Sequence, residues 1–543
     1  MIKYSFRYLF MLLVVFFSAC SSFLEEKPKD SKDANSIFNS FEDLRNSTVL
    51  TVYNHIGGVN NSEGLQGTGR GVYDLNTMTT DEAIMPTRGA DWYDGGFWQG
   101  LYLHKWGVNN EAIADTWEYL YGTIMLCNKS LSEVATYKSI HPESDINALT
   151  AELRALRAMF YYYTMDLFGR IPLITDIEVS GSDMVQVKRS EMFFFIVKEL
   201  QESVPYLSEN RSNALGEYYG RMTQPVAYFL LAKLALNSEV YADNNWTDGK
   251  RPSGKDILFS IEGEKKNAWE TVVYYGEKIK TAGYALEASY ITNFAVHNEK
   301  SIENIFVIPM DKHLYTNQFI YLFRSRNYNH AVAYGLFGEN GTSATPEALS
   351  IFGYGTPQQD ARFDYCYYAG NVMDMNGKQI YLDDGKTPLV YEAEKVALDV
   401  SGEPFEKTAG ARMKKYEVDL KAYMDGKLCD NDIVLFRYAD VLLMMSEAKV
   451  RNGQNGDAEL NEVRARVGEE PRIATLDNIL NERMLELAWE GWRRQDLIRF
   501  QQFTRAYSFR PVLEDEDSGY TTVFPIPYSI VNQYDGIKQN YLY

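Results

Sequence analysis

The residues best placed for chemistry stand in the run Thr87-Arg88-Gly89-Ala90-Asp91-Trp92-Tyr93-Asp94-Gly95-Gly96-Phe97-Trp98. Its three glycines favour a loop over a helix. Trp92, Tyr93 and Trp98 offer flat apolar faces, and Arg88, Asp91 and Asp94 set hydrogen-bonding groups beside them. Stacking on the C–H face of a neutral sugar, with bidentate hydrogen bonds to its hydroxyls, calls for these groups together. The alternative is that the rings plug the loop against the core. A second aromatic stretch, His313 to Phe337, carries Tyr315, Tyr321, Arg324, Arg326, Tyr328 and Tyr334 and precedes the turn signal Asn340-Gly341. It reads as a further contact surface, or as a lid or partner-facing loop.

Catalytic signatures are missing: there is no HExxH, GxSxG, phosphate loop or CxxC pair. The histidines, His55, His104, His141, His297, His313 and His330, show no metal-ligand spacing, and Asp383-Asp384-Gly385 lacks the full calcium-loop pattern. Neither a metal nor a cofactor is expected. Glycoside hydrolysis needs two carboxylates that can be distant in sequence. Asp81-Glu82 and the trio Glu482, Glu486 and Glu490 are the conspicuous groups. The trio falls at i, i+4, i+8 on one expected helix, with Arg483, Arg493 and Arg494 about it, and reads as a structural ion-pair lattice.

The chain begins with a lipoprotein-type export signal. Lys3 and Arg7 precede an apolar run, Tyr8 to Ala19, too short to span a bilayer. Small residues Ser18 and Ala19 then lead directly to Cys20. Residues 1–19 are expected to be removed, Cys20 to be acylated, and residues 20–36 to form a polar tether. Stable anchoring takes two or more acyl chains.

A formal charge of −20 argues against nucleic acid and against polyanionic polysaccharides. Tyrosine is abundant, 40 residues against 28 Phe and 8 Trp, and its apolar face with a polar tip suits either sugar contacts or helix packing. With Cys20 lipidated, Cys127, Cys366 and Cys429 remain; Cys127 reads as a buried thiol, and nothing in the sequence requires Cys366 and Cys429 to pair.

Helical periodicity positions these groups over residues 37–282, fades over 283–430, and returns over 431–543. Ala151 to Phe168 carries an apolar stripe of Leu153, Leu156, Phe160, Tyr163 and Leu167 and stops at Gly169. Thr223–Tyr241, Phe193–Leu207 and Trp269–Lys280 are further helices. Ile305 to Ile308 is a short β-like run. From Arg437 a helix reaches Gly453; Asp457 is expected to cap Ala458–Val467, and Thr475 to open another. The helix pairs hint at a degenerate tetratricopeptide solenoid without a strict repeat.

Several blocks together resemble the SusD/RagB family of outer-membrane lipoproteins: Ala151–Ala158 running to Leu167-Phe168-Gly169-Arg170-Ile171-Pro172; Gly220-Arg221-Met222-Thr223; Phe436-Arg437-Tyr438-Ala439-Asp440-Val441-Leu442-Leu443 with Glu447-Ala448; Glu482-Arg483 through Glu490-Gly491 to Asp496-Leu497; and Phe524-Pro525-Ile526-Pro527 with Gln539-Asn540. They occur in the family's order over nearly the whole mature chain. The resemblance implies a mostly α, tetratricopeptide-like helix-pair scaffold carrying an irregular loop-rich region with a few short strands, forming one domain over residues 37–543. It implies a non-enzymatic lipoprotein on the outer face of the outer membrane. Such a protein captures an oligosaccharide and acts as the lid of a SusC-like TonB-dependent transporter. Glu25 and Glu26 behind Cys20 resemble the family's surface-export signal.

The expected glycan contacts are Asp81, Arg88, Asp91, Trp92, Tyr93 and Trp98 from the first loop region, and Tyr315, Arg324 and Tyr328 from the second. A peptide-binding lipoprotein of RagB type is the alternative on the same scaffold, and a glycosidase is the remaining one.

Overall fold

The structure is a computed structural model that describes residues 38, 40–178, 181 and 184–543. Cys20, the export signal and residues 20–36 lie outside the described residues.

Helices pack as successive neighbours. α1 (Phe41–Tyr53) opens on Ser40, whose hydroxyl accepts the Asp43 N–H at 3.1 Å. It lies against α2 (Glu111–Ile140), which pairs with α3 (Asn147–Phe168). α3 packs on α4 (Arg189–Ser203), and α5 (Gln224–Leu236) on α6 (Ala268–Thr281), whose N-terminus is closed by reciprocal bonds between Asn267 and Glu270. α3 departs from the one-stripe expectation. Ala151 to Phe168 is buried throughout except at Arg154, because α1, α2 and α4 all pack on it.

The irregular stretch is an excursion out of this array. α6 packs directly on α7 (Tyr438–Arg451), the first helix after the excursion. Gly276 permits that approach, since a Cβ there would lie 2.4 Å from Met445 Sδ. The base of the excursion is tied by β1 (Asn304–Ile308) running antiparallel to β2 (Ile433–Arg437), both buried at every position. α8 (Asp457–Arg466) and α9 (Leu476–Leu487) then pack on α7. Gly456, not Asp457, occupies the α8 cap position; Asp457 is the first helical residue and accepts the Ala474 N–H at 2.6 Å. The fold is thus the paired-helix scaffold with short strands confined to two-stranded ladders.

Glu482 and Glu486 lie on α9, but Glu490 does not. The chain leaves the helix at Ala488, and Trp489 is left-handed at φ 67°. All three carboxylates are buried among cations. Arg437 reaches Glu303 and Glu486 at 2.6 Å and Glu490 at 2.8 Å, while Arg362 reaches Glu482 at 2.7 Å and Glu486 at 3.0 Å. Removing one member of a buried pair costs about 3–5 kcal/mol, because its partner is left charged and unmatched. The lattice therefore locks β2, α9 and the start of the excursion together. Cys127, Cys366 and Cys429 are buried free thiols.

Candidate functional site

The first aromatic loop is wound tightly. Arg88 and Asp91 exchange backbone hydrogen bonds at 3.0 Å around Gly89. Trp92, Asp94, Gly95 and Gly96 all have positive φ, from 44° to 86°. For Trp92 and Asp94 this conformation is uncommon and costs about 1–3 kcal/mol each, so surrounding contacts must hold it. The Trp92 indole N–H donates to the Glu339 carbonyl at 2.9 Å. Asp94 accepts from the Trp98 indole at 2.8 Å and from Arg70 at 2.7 Å. Helix begins again at Phe97–Tyr102, so Trp98 stands on a helical turn and not in the loop.

The second stretch is folded over the first. It contains two single-turn helices, Ile320–Arg324 and Tyr328–Val332. From the latter, the Tyr328 hydroxyl donates to the Asp91 carboxylate at 2.8 Å. Burial first, then the Asp91 charge, pushes the Tyr328 phenol up to about 12, so it stays a donor at physiological pH.

Side-chain placement divides the expected contacts into three groups. Tyr93 and Tyr328 are 58% and 41% exposed, Asp91 is exposed, and Trp92 is half-buried between them and the core. These four are brought together at the surface. Arg88, Trp98 and Arg324 lie beneath, at 3%, 2% and 2% exposure, and present no face to a ligand. Arg88 donates to the carbonyls of Glu406 at 2.7 Å and Ala409 at 2.9 Å and to the Ser343 hydroxyl at 2.9 Å, tying the Asp91 turn to two other loops. Arg324 grips Asp74 through two bonds of 2.8 and 2.6 Å and lies over the Trp98 ring at 5.2 Å. Trp92 meets Trp98 edge to face at 5.9 Å. Trp98, on the helical turn, thus plugs the core, Trp92 packs half-buried against it, and Tyr93 alone of the three is left exposed.

The third group is elsewhere. Asp81 is fully buried and held by Arg493 at 2.7 Å and Arg505 at 2.8 Å, two arginines that line a polar cavity of about 740 Å³. Tyr315, 44% exposed, lines a separate cavity of about 280 Å³ with Tyr53, Tyr219 and Asn317. Two further residues belong to the surface site without having been singled out in the sequence. Arg70 fixes Asp94, and Glu339 both anchors Trp92 and adds a carboxyl that burial raises against the pull of Arg324 and Lys427. The adjacent Asn340-Gly341 turn was the one available signal for Glu339.

Two family profiles cover most of the chain: "SusD family" matches residues 280–543 and "Starch-binding associating with outer membrane" matches residues 22–236. The starch-binding protein SusD of Bacteroides thetaiotaomicron is 23% identical over 522 residues, covering 88% of this chain and 86% of that protein. A SusD-like protein of Bacteroides ovatus is 22% identical, covering 92% and 85%. Among solved structures, a laminarin binding SusD-like protein superposes with a TM-score of 0.68 at 20% identity over 93% of this chain and 100% of its own. Surface glycan-binding protein A from Bacteroides thetaiotaomicron, in complex with laminarihexaose, gives 0.66 at 18% identity over 92% and 99%.

Proposed function

The chain belongs to the SusD-like family, and from that premise we propose that it is a surface glycan-binding lipoprotein that captures oligosaccharides without cleaving them. Acyl chains on Cys20 would hold it to the outer membrane, facing the exterior. There it would pass its ligand to a SusC-like TonB-dependent transporter and act as that transporter's lid. Starch and laminarin are the ligands named for its relatives. The observation that carries the reading is the surface cluster of Tyr93, Tyr328, Asp91 and the half-buried Trp92. Two exposed rings stack on sugar faces, and the carboxylate, already oriented by Tyr328, accepts from hydroxyls. Asp91 and Glu339, on a chain of net charge −20, select against polyanionic glycans. Arg88, Trp98 and Arg324 serve as the support that keeps this surface in place. Tyr315 would meet a longer chain at its own cavity.

Calorimetry and affinity electrophoresis of the purified protein against neutral glycans, starch and laminarin included, test the reading. Binding to at least one glycan, lost in Trp92→Ala/Tyr93→Ala/Tyr328→Ala with folding intact, is expected. A wild-type protein silent across the panel but binding peptides would overturn it in favour of the RagB-type alternative.

A further inference from the structure

Buried arginines in this fold are matched by carboxylates: Arg324 by Asp74, Arg362 by Glu482, Arg437 by Glu303, Arg483 by Asp440, Arg494 by Asp166 and Arg499 by Glu447. Arg88, Arg326 and Arg412 break the pattern. They are 3%, 2% and 0% exposed, yet among the described residues no carboxylate lies within ion-pair distance of any of them. The three belong to one place. Arg88 and Arg412 both donate to the Gly341 carbonyl, at 3.3 and 3.2 Å. Arg412 lies over the Tyr391 ring at 5.1 Å. His330, fully buried, bonds Tyr391 at 3.0 Å, four residues beyond Arg326.

Neutral partners satisfy part of this cluster and none of its charge. Arg412 donates to carbonyls and Arg326 to the Leu322 carbonyl at 2.9 Å. Arg88 Nε, Arg326 Nη1, Arg412 Nε and His330 Nε2 are buried with no acceptor. The Tyr391 oxygen already accepts the Asn327 N–H at 2.9 Å. Assigning its proton to His330 Nδ1 leaves His330 Nε2 as one more unanswered donor. Burial, with Arg326 and Arg412 nearby, pushes His330 down to about 3, and burial also lowers Arg88, Arg326 and Arg412, the last to about 10. Guanidinium groups do not surrender their protons in proteins, so three positive charges are enclosed with no carboxylate in ion-pair contact, Glu406 acting on Arg88 only from beyond that distance.

We propose that the Arg88–Arg326–Arg412–His330 cluster holds a small inorganic anion of halide type, which neutralises the buried charge and clamps the loops bearing Asp91 and Tyr328. A water molecule would answer the open donors but leave the charge unmatched. The bound ion would be structural and outside the sugar surface, a place distinct from the proposed glycan contacts.

Crystals soaked in bromide, and thermal unfolding of the purified protein at constant ionic strength in chloride or in gluconate, test this. The expected results are an anomalous peak among the guanidinium nitrogens and a Tm that rises by about 1–3 °C per tenfold chloride. In Arg326→Met that chloride dependence should disappear. Should the variant fail to fold, the wild-type soak and titration decide alone. Water without anomalous signal, a bromide peak with no effect on Tm, or phenolate absorption from Tyr391 at neutral pH would each overturn the proposal.

Discussion

Tyr328 donates its hydroxyl to the Asp91 carboxylate at 2.8 Å, joining surface loops 237 residues apart in the chain. The bond sets the angle of an exposed ring and uses one oxygen of an exposed carboxylate, so two proposed contact groups orient each other before any ligand arrives. Pre-organisation of that kind improves affinity by reducing what must be ordered on binding.

Tyr328→Phe isolates this contribution. The ring remains and the bond is lost. Because both partners are exposed, stability should change by less than about 1 kcal/mol. Glycan affinity should fall roughly two- to tenfold, the equivalent of one hydrogen bond, as read by calorimetry. An unchanged affinity would mean that the ring alone, or neither group, meets the ligand.

Tyr93 and Trp98 should separate binding from stability. Tyr93→Ala removes a ring that is 58% exposed; Tm should hold within a degree while affinity drops about tenfold. Trp98→Ala empties a buried site between Trp92, Phe97 and Arg324 and should cost about 3–5 kcal/mol in denaturant melts. If Trp98→Ala left stability intact and abolished binding, the loop would have to open to admit the glycan.

That division was only half legible in the sequence. The run Thr87–Trp98 announced rings beside charges, and its glycines allowed the positive φ values found at Gly95 and Gly96. Which ring turns inward is decided by Glu339, Arg324 and Asp74, residues local patterning cannot connect to it. Arg88 shows the same limit, its partners being carbonyls at 406 and 409. The spacing of Glu482 and Glu486 on α9 pointed to an ion-pair lattice but not to its cations: Arg362, Arg437, Arg464 and Arg466 reach them from other elements, while the expected Arg483, Arg493 and Arg494 pair with Asp440, Asp81 and Asp166. Glu490 escaped that logic because the helix ends before it.

The proposed localisation rests on Cys20. Cys20→Ser would remove the proposed acylation point and lies outside the helical array. Cell fractionation should then find the protein released from the membrane fraction. Retention in that fraction at wild-type level would mean that something other than acyl chains anchors it.

Glu82 sets the response to pH in the direction opposite to that of the lattice. It is 1% exposed and its carboxylate accepts the Trp489 backbone N–H. Burial pushes it up to about 7, against the pull of that N–H and of Arg493 and Lys415. In the unfolded chain it titrates near ~4.3. Between those values the folded state keeps a proton that the unfolded state gives up. Its contribution is complete below the unfolded pKa and is lost as pH rises through 7, about 4 kcal/mol in all. Asp440 and Glu447 behave oppositely: burial alone would raise them, but Arg483 with Lys233, and Arg499 with Arg451, hold each at about 2. Their stabilisation is present above the ordinary carboxylate range and lost on acidification towards pH 2. Glu82→Gln keeps an acceptor for Trp489 and removes the titration. Wild-type stability should therefore decline from pH 5 to pH 7.5 and the variant's should decline less, with both sharing the acid limb. Parallel profiles over that interval would show that Glu82 is ionised in the folded protein and that Trp489 is held by a charged acceptor.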